Sequence, residues 1–433
     1  MKIAMLSWET LHSISVGGIA PHVTEQAVAL TRSGHEVHVI TRIAPGQQLY
    51  SLIEGVHYHR CPYPGLDDFV DEINNMCRIF VDKAFEIEDS SDEPFDIVHA
   101  HDWLTANAMI WIKQGRGRRS IITIHSTEYG RCGNSFPGGQ SNRVREQERA
   151  GTYWADRVIC VSYALKNEIK WMYEVPDDKI SVIYNGVSAQ RFDADVDPGA
   201  VRANYDIGPM DPMVLFCGRL EWQKGPDILI EAIPSILKHY GNAKFVFAGA
   251  GSMLPDLKRR AGELGIDSAV RFLGVIGGVE LPALFKSCDC VCVPSRNEPF
   301  GIVILEAWSA GKPVVATDVG GPNEFVTHEE NGFKVSPNPD SVAWGLGTLL
   351  SDFDKARWMG ENGHRVVHEN YSWDIIVRHT IDAYDTPRLQ VPTVIEEPAP
   401  NPIKASAAAM GRQGRPTPPA KEPSRTSRRG KAS

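Results

Sequence analysis

Short apolar runs that alternate with amphipathic segments constrain the fold of this chain more than any other feature. Up to residue 190 these runs read as buried strands, and they are KIAML, EVHVIT, DIVHAH, SIITIH, RVICVS and SVIYNGV. The clearest helical segment between them ends at Gly34 and carries on one face Ile19, Val23, Ala27 and Leu30. Near-continuous apolar strands that alternate with helices predict a parallel sheet covered on both faces.

The same alternation starts again after an irregular stretch over residues 193–212. The second set of runs is MVLFCGR, AKFVFAGAG, AVRFLGV, CDCVCVP, KPVVATD and GFKV. We predict an α/β protein with two doubly wound, Rossmann-like domains, over residues 1–193 and 208–371, and a last helix over residues 372–386. Open parallel sheets bind ligands at the carboxyl ends of their strands, so a site is expected in the cleft between the domains.

The segment PSRNEPFGIVILEAWSAG, residues 294–311, passes from a polar loop into an apolar helix. Glu298 lies in the loop, and Glu306 lies about two helical turns further on. A carboxylate among apolar neighbours is costly to bury unless it is hydrogen-bonded. The segment is either a capped helix with one salt-bridged glutamate or a ligand site. In a ligand site, the two acids would flank a helix N-terminus that attracts anions.

Two cations follow the first apolar run of the second half, in the segment CGRLEWQKG. In isolation, Arg219 and Lys224 read as ordinary surface charges. Because they follow a strand, in a loop with Gly218 and Gly225, they are also placed to reach a diphosphate. Arginine would supply a planar fork of N–H groups and lysine a point charge.

Pairs of nearby glycines follow the first predicted strand of the first half and the second predicted strand of the second half. Gly17 and Gly18 precede the first helix, where they form either a plain loop or a place for close approach of a ligand. Neither half has the GxGxxG pattern of dinucleotide-binding proteins, because Gly249 and Gly251 are followed by Leu254 where a third glycine is needed. An NAD-dependent enzyme is therefore a weak alternative.

Histidines lie at the carboxyl ends of two predicted strands of the first half that are consecutive in the sequence. His99, His101 and Asp102 end the run DIVHAHDW, and His125 ends the run SIITIH. A metal site is one interpretation of this cluster. We favour the other interpretation, in which no metal binds here and His99 is a hydrogen-bonded residue of the core.

The run EPFGIVILEAWSAGKPVVAT resembles the E-x7-E motif of glycosyltransferase family 4, whose retaining enzymes have the GT-B fold. The resemblance extends over about residues 1 to 386 and includes CGRLEWQKG, VHAHDW and TIH. It implies that the helix over residues 372–386 crosses back onto the first, acceptor-side domain, and that the second domain binds the nucleotide sugar. It implies that Arg219 and Lys224 neutralise the leaving nucleoside diphosphate. It also implies that Glu306 holds the ribose hydroxyls and that Glu298 lies against the donor sugar.

The resemblance also implies roles for main-chain groups. The N–H groups of Phe300, Gly301 and Ile302 would meet the phosphates, and the base would lie near Val275. The Gly17–Gly18 loop would touch the transferred sugar and the diphosphate.

In the first domain, His125 would face the anomeric carbon and join Glu298, Arg219 and Lys224 as the catalytic set. His101 and Asp102 would lie on the acceptor side. The family often has asparagine after the histidine, whereas this chain has Ser126.

The implied reaction is a retaining, metal-independent transfer of a hexosyl group, without a cofactor. Within the family, the sequence most resembles bacterial and archaeal glycogen-synthase-type members. Our first hypothesis is therefore glucosyl transfer from ADP- or UDP-glucose to an α-1,4-glucan. The acceptor hydroxyl would attack from the leaving-group side and give its proton to the departing phosphate. The alternatives are a lipid or small-molecule acceptor, a nucleotide-sugar epimerase of the same fold, and a non-catalytic binding module.

Asp193, Asp195 and Asp197 have the DxD spacing of metal-dependent glycosyltransferases, but they lie between the two halves. We treat this spacing as coincidence and expect activity in EDTA.

The composition, with 42% hydrophobic and 23% charged residues, is that of an ordinary globular protein. No run approaches the roughly 18 apolar residues of a membrane span, and we expect no nucleic-acid partner. Eight cysteines without paired CxxC spacings indicate reduced thiols in a cytoplasmic protein. Residues 387–433 hold nine Lys/Arg, three Asp/Glu and nine Pro, which predicts a disordered tail, with docking to an acidic partner as the alternative.

Overall fold

The computed structural model of the protein describes residues 1–91 and 93–387, so the predicted tail from residue 388 onward lies outside the described residues. Two sheets form the framework. The strands of the first are β1 (Lys2–Leu6), β2 (Glu36–Arg42), β3 (Tyr50–Ile53), β4 (Val56–Cys61), β5 (Ile97–His101), β6 (Arg119–Ile124), β7 (Arg157–Cys160) and β8 (Ile180–Val182). Those of the second are β9 (Met213–Cys217), β10 (Lys244–Ala248), β11 (Val270–Gly274), β12 (Cys290–Val293), β13 (Val314–Thr317) and β14 (Gly332–Val335).

Helices connect these strands and cover the sheets. In the first half they are α1 (Ile19–Arg32), α2 (Phe69–Ser91), α3 (Trp103–Arg116), α4 (Glu128–Arg131), α5 (Gln140–Trp154) and α6 (Tyr163–Tyr173). The rest of the described chain adds α7 (Pro198–Ala203), α8 (Pro226–Leu237), α9 (Leu254–Glu263), α10 (Glu280–Ser287), α11 (Ile302–Ser309), α12 (Pro322–Phe325), α13 (Pro339–Ser351), α14 (Phe353–Asn370) and α15 (Trp373–Asp385).

The first sheet has eight strands in the order β3-β4-β2-β1-β5-β6-β7-β8, and all its pairings are parallel except β3 with β4. The β3–β4 hairpin turns at Glu54 and Gly55, both with positive φ, as a two-residue hairpin turn requires. The sequence did not predict the edge strand β3 or its neighbour β4, because the residues of this hairpin do not form continuous apolar runs. The run SVIYNGV, in turn, is a strand only at its start.

The second sheet has six strands in the order β11-β10-β9-β12-β13-β14, and every pairing in it is parallel. In each sheet the winding direction reverses beside the first strand, between β1 and β5 and between β9 and β12. The loops that leave these strands therefore line a crevice at the carboxyl edge. This architecture confirms the predicted α/β fold with two doubly wound parallel sheets.

The stretch between the two sheets contains a short helix, α7, where the sequence indicated irregular structure. Asp197 is its N-cap, and its side chain accepts hydrogen bonds from the N–H groups of Gly199 at 2.9 Å and Ala200 at 3.2 Å. One of the three acids with DxD spacing is thus a helix cap, which is a common role for aspartate.

The last described helix, α15, follows the second sheet in the chain but packs beside the first, against α1. Trp373, Val377 and Tyr384 are buried in one apolar cluster with Met5 and Val23. No helix among the described residues has the length and apolar content needed to cross a membrane.

Candidate active site

The first acid of the E-x7-E segment holds a lysine. Lys224 follows β9, and its Nζ lies 2.8 Å from both carboxylate oxygens of Glu298. Ser295 donates a further hydrogen bond of 2.8 Å to the same carboxylate. Gly225 makes this packing possible, because it has φ +63° and a Cβ there would lie 2.1 Å from the carbonyl oxygen of Pro294. The loops after β9 and β12 therefore fix Lys224 at the crevice edge.

Arg219, the second cation, has no carboxylate partner among the described residues. Its guanidinium donates one hydrogen bond of 3.0 Å to Oε1 of Gln223. Its positive charge also acts on Asp102 of the first half, where it lowers the pKa of that carboxyl group against the effect of burial. Arg219 therefore lies at the cleft with most of its hydrogen-bonding capacity unused.

The start of α11 presents free main-chain donors. The N–H groups of Phe300, Gly301 and Ile302 have no acceptor in the part of the chain that the structure describes. Gly301 has φ +94°, a left-handed conformation that disfavours other residues and turns the chain into the helix. Three free donors at a helix N-terminus form a site for an anion.

The glycine loop of the first half meets this helix start. A Cβ on Gly18 would lie 3.4 Å from Cδ1 of Ile302, so the two domains approach closely here. Glu9, which is buried, orders the loop by accepting hydrogen bonds from the N–H groups of Val16 at 2.5 Å and Gly17 at 2.7 Å. The N–H group of Gly17 is therefore engaged, whereas that of Gly18 has no acceptor among the described residues.

His101, Asp102 and His125 lie together at the ends of β5 and β6. Asp102 accepts a hydrogen bond of 2.6 Å from the N–H group of His125, and a ring nitrogen of His101 lies 3.1 Å from one of His125. Asp102 has φ 58° and ψ 179°, a conformation that costs a residue other than glycine about 1–3 kcal/mol. Such strain is frequent at functional sites, and here it directs the carboxylate to the His125 loop.

Burial decides the protonation of this cluster. It lowers the pKa of His125 to about 3, so the imidazole is neutral over the physiological range. Burial also raises the pKa of Asp102 to about 6, against the opposing charges of Arg131 and Arg219. His125 consequently offers a neutral ring rather than a positive charge to the cleft.

Two histidines near this cluster differ in their roles. His99 lies 2.7 Å from both the hydroxyl of Tyr384 and the hydroxyl of Thr123, as expected for a hydrogen-bonded core residue. His22 of α1, which sequence reasoning missed, packs its ring 4.6 Å from that of His125. Its position in the helix that follows the glycine pair was the signal that could have identified it.

Glu306, the second acid of the segment, is buried and lacks a hydrogen-bond donor among the described residues. Burial raises its pKa to about 7, although the charge of Arg191 acts in the opposite direction and Glu25 adds to the rise. A buried carboxylate without donors is unfavourable unless a ligand supplies them.

Val275 lies directly after β11, at the edge of the second sheet, and is 79% exposed. Its role near a nucleotide base stays a prediction. The other residues predicted for the site lie at the end of β5, on the loops that leave β1, β5, β6, β9 and β12, or at the start of and within α11.

Comparison with known proteins identifies the family. The model described as glycosyl transferases group 1 matches residues 200–366, and that of glycosyltransferase family 4 matches residues 16–191. An uncharacterised glycosyltransferase from Methanocaldococcus jannaschii is 40% identical over 388 residues, which cover 89% of this chain and 98% of that protein. Glycogen synthase from Mycobacterium tuberculosis is 29% identical over 402 residues, with coverage of 89% and 94%.

Solved structures share the fold at low sequence identity. Sucrose-phosphate synthase from Thermosynechococcus elongatus superposes with a TM-score of 0.74 at 23% identity, covering 88% of this chain and 98% of its own. HepE from Anabaena, in complex with UDP-glucose, superposes with a TM-score of 0.71 at 21% identity, with coverage of 88% and 100%. The chain therefore belongs to glycosyltransferase family 4 and has the GT-B fold of two facing doubly wound domains.

Proposed function

We propose that this glycosyltransferase moves a glucosyl group from ADP- or UDP-glucose to a hydroxyl of an α-1,4-glucan, with retention of the anomeric configuration. The observation that carries the proposal is the convergence of two cations and three free N–H groups on one edge of the second sheet. This edge faces the glycine loop and His125 of the first domain.

The anion that best fits this edge is the diphosphate of a nucleotide sugar. Arg219 has no carboxylate partner within residues 1–91 and 93–387, and Lys224 is held in place by Glu298 rather than free to swing into solvent. Each charge-assisted contact to a phosphate is worth about 1.5–3 kcal/mol. The free N–H groups at the start of α11 would complete a cradle around both phosphates.

The pairing of Lys224 with Glu298 refines the role of that glutamate. Two carboxylate oxygens at 2.8 Å from Nζ make Glu298 the residue that positions the lysine. Its contact with the donor sugar, implied by the resemblance to the family, would come from the same carboxylate. The two roles are compatible, because a carboxylate accepts about four hydrogen bonds and this one receives three.

Glu306 is suited to the ribose of the nucleotide. Its carboxylate is buried and receives no hydrogen bond from the residues that the structure describes, and two vicinal hydroxyls would supply a pair of donors. Binding of the ribose would return its pKa toward the ordinary range, since hydrogen bonds to the carboxylate favour the charged form.

The first domain would supply the sugar-facing side of the cleft. His125 is neutral, so it would act through its ring and its main chain on the positive charge that develops at the anomeric carbon. The acceptor hydroxyl would attack from the side of the leaving group, and the departing phosphate would take the proton. Catalysis would then rest on placement and on charge stabilisation, without a protein base or a metal ion.

An uncharged acceptor is favoured by the charges beside Asp102. Arg131, which lowers the pKa of Asp102, already pairs with Glu128 at 3.1 Å and with Glu148 at 2.6 Å. Its charge is therefore compensated, which favours a neutral glucan hydroxyl over a phosphorylated acceptor. The likeness to a glycogen synthase supports the same choice.

A panel of sugar donors tests this function. Release of nucleotide would be measured from ADP- and UDP-glucose and from other ADP- and UDP-sugars, with and without glycogen, and the anomeric configuration of the product would be read by NMR. We expect release from one glucose donor, stimulated by glycogen, with an α-linked product. Release from neither glucose donor under either condition would contradict the proposal.

The matched control for this assay is a second lysine of the same domain. Lys258 is exposed on α9, so Lys258→Ala should behave like the wild-type chain. Lys224→Ala should lower the use of the donor about 10- to 100-fold, the equivalent of one charge-assisted contact.

A further inference from the structure

Three histidines of the first domain form a group, and the proposed transfer reaction gives a role to His125 and His101 but none to His22 or to the three rings together. His22 projects from α1, His101 ends β5 and His125 follows β6. One ring nitrogen from each lies within 4.8 Å of those of the other two, and this is the one such group in the part of the chain that the structure describes. The ring centroids are 4.6 Å apart for His22 and His125 and 5.5 Å apart for His22 and His101.

Several polar atoms in this group lack partners. Among the described residues, both ring nitrogens of His22 and Nε2 of His101 are buried without a hydrogen bond of ordinary geometry. The side-chain oxygens of Asn185 and Gln26 lie close enough to His22 to interact with its ring, but not in that geometry. A buried histidine ring with neither nitrogen in a well-formed hydrogen bond is uncommon in a folded protein and leaves its nitrogens open to a ligand.

We propose that His22, His101 and His125 together bind Zn²⁺, or a divalent transition-metal cation of the same ligand preference, and that the bound ion blocks use of the sugar donor. Imidazole nitrogen is a preferred ligand of zinc, and three histidines with one open position are a known zinc arrangement. Magnesium and calcium require oxygen ligands, which this group does not supply.

The chemistry of the ligands fits the ion. Each of the three rings can present one nitrogen lone pair to a common point, as a metal requires. A ring that binds zinc usually donates its other N–H group to an acceptor, and the oxygens of Asn185 and Gln26 beside His22 can serve as such acceptors.

The geometry requires only small movements. Zn–N bonds of about 2.0–2.1 Å in a tetrahedral site place ligand nitrogens roughly 3.4 Å apart. Nδ1 of His101 and Nε2 of His125 already lie 3.1 Å apart, where the ion would replace the hydrogen bond between them, and a ring nitrogen of His22 would move in from within 4.8 Å. His125 is half-buried at the cleft, whereas the other two are buried, so the ion would enter from the cleft.

The blocking effect rests on the proposed function, because His125 is there the residue that faces the transferred sugar. An ion on His125 would occupy this position and add positive charge where the anomeric carbon becomes positive. The site is thus inhibitory, and it agrees with a transfer reaction that needs no metal.

The binding test uses the full chain, from which bound metal is removed with EDTA and the EDTA is then removed by dialysis. A pair of exposed histidines on α14, His364 and His368, has ring nitrogens 3.2 Å apart and would bind zinc weakly by itself. The parent for the test is therefore the double variant His364→Gln and His368→Gln. Zinc is titrated into this parent and into the parent with His22→Gln, in competition with a chromophoric chelator.

We expect one zinc ion per parent chain and a zinc affinity at least about 100-fold lower with His22→Gln. Loss of a residue that binds the metal directly should weaken binding more than loss of a residue that only hydrogen-bonds to a ligand. X-ray absorption on the zinc-loaded parent should count three imidazole ligands, and this measurement needs no variant of the cluster to fold. Equal affinity in both chains, sulfur ligands, or fewer than three imidazoles would overturn the site.

The activity test is separate. One equivalent of zinc should stop nucleotide release by the parent, and EDTA should restore it. Undiminished release at full occupancy would overturn the blocking effect. If no nucleotide sugar is used even without zinc, the proposed function fails, while the stoichiometry and the ligand count still decide the site.

Discussion

Replacing Glu306 by glutamine should stabilise the protein at high pH. Burial raises the pKa of this carboxyl group from an ordinary 4.5 to about 7, and no described residue donates a hydrogen bond to it. Because the folded-state pKa is the higher one, the folded chain binds the proton more tightly than the unfolded chain does. The stability that the neutral acid contributes is present below pH 4.5 and is lost as the pH rises through 7.

The magnitude follows from the gap between the two pKa values. Each unit is worth about 1.4 kcal/mol, so the gap of Glu306 corresponds to about 3 kcal/mol above pH 7. Glutamine has nearly the same shape and no charge to bury. We therefore expect the Glu306→Gln variant and the wild-type chain to have the same free energy of unfolding near pH 4.5. At pH 8 the free energy of unfolding of the variant should be higher by up to about 3 kcal/mol.

Urea denaturation of both chains between pH 4.5 and 8 measures this difference. Glu361→Gln, at an exposed position of α14, is the control and should leave the midpoint unchanged at every pH. A variant that is less stable than the wild-type chain at pH 8 would show that the carboxylate has favourable partners in the free protein. The reasoning about an unsatisfied acid would then be wrong.

The other predictions concern the remaining charged groups of the cleft and the contact between the domains. Glu298→Gln should lower donor use at least as much as Lys224→Ala, and the double variant should be no worse than Glu298→Gln alone; additive losses in kcat/KM would show that Glu298 does not position the lysine. Activity assayed in EDTA should equal that in Mg²⁺, and activity that depends strictly on metal would contradict the proposed mechanism. Glu324 of α12 accepts hydrogen bonds from the N–H groups of Tyr163 at 3.0 Å and Ala164 at 2.7 Å, so Glu324→Gln should lower the free energy of unfolding by about 1–2 kcal/mol in urea titrations, and an unchanged midpoint would refute the contact.

The layered architecture could be predicted from the sequence, because each buried parallel strand is a short continuous run of apolar residues that can be recognised without knowledge of the rest of the fold. The hairpin of β3 and β4 could not be predicted in this way. The edge strand β3 is half-exposed, and more exposed and less exposed residues alternate along β3 and along most of β4. The carboxyl edges of the two sheets were also predictable, because the loops that leave parallel strands meet there whatever residues they contain.

The pairings inside the site were not predictable in the same way. Lys224 and Glu298 are 74 residues apart, and nothing local distinguishes a lysine held by an acid from one that is free. Glu9 reads as a polar residue that ends a strand, yet the fold buries it under the glycine loop. His22 becomes part of a cluster only because α1 passes over the ends of β5 and β6.

The most direct test of the diphosphate site is the binding of nucleotides to wild-type and Arg219→Ala chains by calorimetry. ADP or UDP should bind more tightly than the matching monophosphate, and Arg219→Ala should weaken the diphosphate about 10- to 100-fold while changing the monophosphate less. Equal affinity of both chains for the diphosphate would contradict the account.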